Sequence, residues 1–168
     1  MSLCRLIYKS IATAEIVSNE TLRSLEDRSS ESNSGKKITG LLVLSGNVFL
    51  QVLEGSPADV TSLFTSISLD KRHRQVELVS FELTASRLFD EWGMRLVDLY
   101  DLPGEKRALM ATKYANEKGE IVVPSDPYLV CAFLLDAKYS CSSAPWKTPL
   151  PASRLNEEDQ SSPASSDG

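Results

Sequence analysis

Three features of the sequence predict an α+β fold in which a mixed sheet carries two helices on one face. The stretch Ile38 to Gly55, ITGLLVLSGNVFLQVLEG, reads as two strands, Ile38 to Leu44 and Val48 to Leu53, joined by a turn at Ser45-Gly46-Asn47 that supplies positive-φ residues. Neither strand alternates apolar with polar residues, so both faces are expected to be covered. Val60, Leu63, Phe64 and Ile67 then recur at i, i+3, i+4 and i+7, the stripe of a helix that packs on a sheet. The segments as a whole run strand, helix, strand, strand, helix, strand, with a fifth strand behind a short turn.

Leu3 to Ser10, LCRLIYKS, is the first strand, with Cys4, Leu6 and Tyr8 on one face and Leu3, Arg5, Ile7 and Lys9 on the other. Tyr8 therefore points inward or into a cleft, where a strand tyrosine commonly fills the core with its hydroxyl at the rim. Ser18 or Asn19 can cap a first helix that carries Leu22 and Leu25 on one face and runs to about Ser32. So thin a stripe leaves room for a ligand. Asn33 stands where that helix gives way to the loop Asn33-Ser34-Gly35-Lys36-Lys37, a position that suits a C-cap. In the apolar run of the second hairpin strand, Gln51 is the odd residue. A buried amide without partners costs a few kcal/mol, so backbone, ordered water or a ligand must bond to it.

Ser56 and Pro57 open the second helix with a capping hydroxyl and a proline at the first helical position. It ends in Asp70-Lys71-Arg72-His73-Arg74, a charged loop that is either a solvated connection or a site for a polar or anionic ligand. Val76 to Leu83 is the fourth strand and Ser86 to Phe89 a short helical turn. Trp92 to Leu99 is the last strand, with Trp92 and Met94 on one side. This is the ferredoxin-like βαββαβ arrangement with a fifth strand, which hosts many unrelated activities and names none of them.

With 168 residues, a net charge of -5 and 42% hydrophobic residues, the chain fits one domain with a flanking extension. Its acidic balance argues against nucleic acid as the main partner. No run reaches the roughly 20 apolar residues of a membrane span, and Met1-Ser2-Leu3-Cys4-Arg5 leads into a strand without a signal-peptide layout, so no membrane association and a cytoplasmic location are expected. Cys4, Cys131 and Cys141 share no CxxC spacing and are read as free thiols, with neither a disulfide framework nor a metal site.

Taken in order, Tyr8, Asn33, the ITGLL and FLQVLEG strands with Gln51, the DKRH loop and Trp92-Gly93-Met94 resemble the BLUF domain, the "blue light sensing using FAD" photoreceptor, over about residues 1 to 102. The resemblance implies a flavin held non-covalently between the two helices on the sheet, FAD in the first place with FMN as the other candidate. Tyr8 would be the donor of an electron and a proton to the excited flavin. Gln51, with an acceptor and a donor on one amide, would exchange hydrogen bonds among Tyr8 and the flavin N5 and O4. Asn33 would hold the O4 and N3-H edge. Asp70, Arg72 and His73 would lie near the ribityl and phosphate part of the cofactor. Trp92 and Met94 would relay the state of Gln51, and the resemblance leaves open which of the two points inward.

Such a domain catalyses no turnover, so the protein is expected not to be an enzyme, and with His73 the only histidine no nucleophile-base pair is legible. Residues 103–139 are read as two helices: one from Pro103-Gly104 to about Ala115 and, after a turn at Asn116 to Gly119, one from Asp126-Pro127 to about Tyr139. The second is apolar nearly all round. It is expected to be buried on the open face of the sheet or against a second subunit. Residues 140–168, rich in Ser and Pro, read as a disordered tail. A separate downstream signalling protein, engaged through the C-terminal helices of a homo-oligomer, is the implied partner. A light-insensitive ferredoxin-like interaction scaffold and a flavin-binding redox protein are the alternatives.

Overall fold

The computed structural model describes residues 2–13, 19–90 and 93–141. Five strands, β1 (Leu3–Ala12), β2 (Thr39–Ser45), β3 (Val48–Gly55), β4 (His73–Thr84) and β5 (Arg95–Asp98), form one sheet in the order β4-β1-β3-β2-β5. β1 runs antiparallel to both β3 and β4, β2 is antiparallel to β3, and β5 lies parallel to β2. Helices α1 (Asn19–Gly35) and α2 (Pro57–Ser68) follow β1 and β3, and α3 (Gly104–Tyr114) and α4 (Pro127–Ser140) come after β5. The mixed five-stranded sheet with two helices on one face, the ferredoxin-like arrangement, is thus present, with the C-terminal helices added.

The continuous apolar runs of β2 and β3 follow from a sheet covered on both sides. Leu42, Leu44, Phe49 and Leu53 pack with Leu22 and Leu25 of α1 and Val60 of α2. Leu41, Val43, Leu50 and Val52 face the other way and pack with Met110 of α3 and Val130, Phe133 and Leu134 of α4. Of the two places open to the apolar C-terminal helix, α4 thus occupies the open face of its own sheet. Asp126 caps it by accepting from Tyr128 N at 2.8 Å, as Ser56 caps α2 by accepting from Asp59 N at 3.2 Å.

Several boundaries differ from the sequence reading. In the β2–β3 hairpin only Gly46 has positive φ, 62°, the pattern of a two-residue type II′ turn rather than a run of positive-φ residues. α1 continues to Gly35, so Asn33 lies in its last turn and not in a loop. The chain reverses at Lys37, φ 53°. His73 and Arg74 already belong to β4, because they pair with Ala12 and Ile11 at the far end of β1. Ser86 to Phe89 forms bends and no helical turn. The last strand is only Arg95–Asp98, the length of its pairing with Leu41 to Leu44. The Ser18 cap, Trp92 and the tail beyond Cys141 lie outside the described residues.

Candidate functional site

One row of side chains crosses the sheet. Tyr8 on β1 is the register partner of Gln51 on β3, Gln51 of Leu42 on β2, and Leu42 of Leu96 on β5. Residues directly opposite on paired strands share a face, so the row points at α1 and α2. Tyr8 is fully buried and Gln51 is 4% exposed. The Tyr8 hydroxyl donates to Gln51 Oε1, and Gln51 Nε2 donates to Met94 Sδ at 3.2 Å. The polar residue in the apolar strand is therefore satisfied by two side chains rather than by backbone.

Above the row a cleft of about 240 Å³ opens between α1 and α2. Leu25, Leu42, Leu63 and Ile67 supply apolar walls, and Asn33, Gln51, Asp70, Arg72 and His73 line it as well. Five of the six residues expected to bind a cofactor thus come to one cleft from α1, β3, the α2–β4 connection and the first residue of β4, with Tyr8 bonded to Gln51. Asn33 is 1% exposed and its Nδ2 donates to the Gly93 carbonyl at 2.9 Å. Its own backbone carbonyl accepts from Lys36 N and Ile38 N, so the side chain ties α1 to the segment before β5 instead of capping its own helix.

The charge pattern is fixed by burial and pairing. Arg72 Nε lies 3.0 Å from both Asp70 oxygens, and its Nη2 lies 2.5 Å from Oδ2. This hydrogen-bonded guanidinium holds the Asp70 carboxyl below the usual carboxylate range. Burial pushes His73 below the ordinary imidazole value, against the pull of Asp70, so it is neutral near pH 7. His73 Nδ1 pairs with Ser10 Oγ at 2.9 Å, and its ring packs 5.3 Å from that of Phe49. Burial, reinforced by Asp70, pushes the Tyr8 hydroxyl far above the phenol range and keeps it protonated.

Neutral amides, a protonated phenol, apolar walls and the Arg28 guanidinium, beside an Arg72 that is paired with Asp70, suit a flat ring with a polar edge and an anionic tail. Among the described residues no group of three or more His, Cys, Asp or Glu is placed to hold a metal ion, and no helix is long and apolar enough to cross a membrane.

Arg28, Ser29 and Ser66 also line the cleft and were not singled out in the sequence. Helical spacing carries the signal: Leu25, Ser29 and Asn33 recur every four residues, and Leu63, Ser66, Ile67 and Asp70 follow i, i+3, i+4 and i+7. A second polar cluster was missed altogether. Arg5 Nε donates to Glu54 Oε1 at 2.7 Å, and Glu54, fully buried, accepts from the backbone N–H groups of Leu88 and Phe89 at 3.0 and 2.9 Å. From the other side, Lys138 Nζ on α4 donates to the Leu88 carbonyl at 2.8 Å.

Residues 3–95 match the BLUF family, described as sensors of blue-light using FAD. The chain is 31% identical over 100 residues to the "Blue light- and temperature-regulated antirepressor BluF" of Escherichia coli (strain K12), a match covering 58% of this chain and 24% of that protein. It is 32% identical over 92 residues to the "Photoactivated adenylate cyclase subunit alpha" of Euglena gracilis, covering 54% of this chain and 9% of that one. The chain therefore spans a quarter or less of these relatives' own length. Among solved structures, "BlsA ground state" superposes with a TM-score of 0.71 over 92% of this chain and 99% of the other, a likeness of fold at 20% identity.

Proposed function

Because the chain belongs to the BLUF family of blue-light flavin sensors, we propose that it holds FAD in the cleft between α1 and α2 and signals to a separate protein through its C-terminal helices. One observation carries the reading: Asn33, Gln51, Asp70, Arg72 and His73 line a single cleft, and Tyr8 bonds to Gln51 beside it. Residues 1–102 are the sensor and 103–139 the output segment. FMN is the other flavin the donor set admits, since Arg28 and Arg72 would meet a phosphate in either case.

When bound, the excited flavin supplies a strong one-electron oxidant. Tyr8 is the side chain that gives up an electron and, with it, the hydroxyl proton, which already points at Gln51 Oε1. Gln51 responds by rotation or tautomerisation, either of which reassigns its donor and its acceptor. Asn33 keeps one Nδ2 hydrogen on Gly93 and has its second hydrogen and its carbonyl to fix the ring edge. Met94, 3% exposed and on Gln51 Nε2, is the first residue outside the pair to feel the change, and with Trp92 forms the relay into β5.

Output then has a physical route. Met94 leads directly into β5, and the connection before it is held by Glu54 on the sheet side and by Lys138 of α4 on the other. A shift here changes what α4 packs against. Tyr128, Leu129 and Tyr139 of α4 and Leu109 of α3 are exposed and give a downstream protein, or a second copy in a cytoplasmic homo-oligomer, an apolar surface.

The test is an absorption spectrum of the purified protein in the dark and just after blue illumination. A bound flavin whose bands move to the red and recover in the dark is the expected result. A flavin that only bleaches would point to a redox protein, and a colourless protein after flavin supplementation to an interaction scaffold.

A further inference from the structure

Helix α1 is polar along most of its length, yet Glu26 is only 1% exposed. Its Oε1 accepts the backbone N–H of Leu96 at 3.2 Å and lies 3.8 Å from Arg95 Nε. β5 is the border strand of the sheet and pairs with β2 alone, so this bond comes from outside the ladder. A buried carboxylate persists where it is paired and hydrogen-bonded. Both of these partners of Glu26 lie at the start of β5.

Seven residues later, on the same side of α1, Asn33 Nδ2 donates to the Gly93 carbonyl. Two helical turns advance about 10 Å. The three residues from Gly93 to Leu96 can span up to about the same distance. α1 therefore grips residues 93–96 at both ends, and between the two grips sits Met94, whose sulfur accepts from Gln51.

We propose that Glu26 is the positioning residue that fixes the start of β5, and with it the Met94 sulfur that reads Gln51, in the resting state. The inference rests on the reading that Gln51 rearranges in light. It adds that the rearrangement works against a clamp from α1, so a displacement of Met94 reaches β5 only as the bond from Glu26 to Leu96 gives way.

Hydrogen exchange of residues 93–98 in the flavin-loaded full chain tests this, in the dark and under blue light, for the wild type, Glu26→Leu and Glu26→Gln, with the absorption spectrum recorded alongside. Leucine removes the acceptor, and glutamine keeps a carbonyl for Leu96 N–H. In the dark, Glu26→Leu should exchange the Leu96 amide about tenfold or more faster than the wild type, as expected for loss of a local protecting bond. It should match the illuminated wild type there and still bind flavin, while Glu26→Gln stays close to the wild type. Dark protection of residues 93–98 that is unchanged in Glu26→Leu overturns the proposal. So does equal acceleration across β1 and β3, which would mark a merely global loss of stability. If Glu26→Leu does not fold, the Leu96 amide of the dark wild type decides by NMR, and an unprotected amide overturns the clamp. A wild type with no red shift would remove the photoreceptor reading, while the dark exchange comparison still decides whether Glu26 holds β5.

Discussion

Gln51 and Met94, 43 residues apart, meet side chain to side chain: Nε2 of the amide donates to the thioether at 3.2 Å while Oε1 accepts the Tyr8 hydroxyl. These two bonds fix which way the amide faces. Turned over, it would aim its carbonyl oxygen at a sulfur that has no hydrogen to give and its NH2 at a hydroxyl that must then act as acceptor. The orientation of Gln51 and the position of Met94 are therefore coupled.

Substituting Gln51 by Leu removes both bonds and leaves the fully buried Tyr8 hydroxyl without its acceptor, at a cost of about 1–3 kcal/mol. Substituting Tyr8 by Phe removes the donor proton. Each variant should keep flavin yet lose the reversible red shift, read by difference absorption before and after blue light. A normal photocycle in both would reject the mechanism.

Glu54 joins β3 to β1 and to the connection before β5. Glu54→Leu would leave buried Arg5, a residue only 6% exposed, without its closest carboxylate and strand the amides of Leu88 and Phe89. Glu82 still holds Arg5 Nη1 at 2.8 Å and softens the loss. Breaking a buried pair on one side costs about 3–5 kcal/mol, and urea denaturation should show a loss toward the lower end of that range. Arg5 and Glu54 replaced together by apolar residues should lose less than the single change does.

How far the sequence reached depends on where each partner lies. The faces of β1, with Tyr8 inward and Arg5 opposite, follow from alternation alone, and the α2 stripe from a period of 3.6. Gln51 stood out because a polar residue in an apolar strand needs partners, though only the fold shows them to be Tyr8 and Met94. Glu26 is the reverse case: a glutamate on a polar helix reads as solvated, and nothing local announces Leu96 N–H across 70 residues. The same holds for Arg5 and Glu54. The excess length given to the last strand has a similar cause, because pairing with β2 and not alternation sets where β5 begins.

The sole histidine gives a pH signature. Burial lowers the folded pKa of His73 below its unfolded value of about 6.5. Below that value the unfolded chain binds the proton more readily than the folded one, so stability is fully present above it and is lost as pH falls toward the folded pKa. Thermal unfolding between pH 7.5 and 5 should show the melting temperature falling with acid in the wild type. His73→Gln should flatten that part of the decline. Parallel curves for the two proteins would mean that other groups cause it.

Gly40 on β2 should tolerate no side chain. A Cβ there would lie 2.2 Å from the Val52 carbonyl oxygen and 3.3 Å from Met94 Cε. The first neighbour is backbone in the β2–β3 pairing and cannot yield without opening it. The second is the tip of the side chain bonded to Gln51. Gly40→Ala is expected to cost about 1–3 kcal/mol or more from overpacking and, by pushing on Met94, to alter the flavin difference spectrum as well. Gly104 is the control: it lies in α3 with nothing within 4 Å of a Cβ, and alanine is the better helix former, so Gly104→Ala should be neutral or slightly stabilising and spectrally silent. Gly40→Ala that destabilises with an unchanged spectrum would mean that Met94 moves without Gln51 noticing, and the coupling between the two would then be weaker than their hydrogen bond implies.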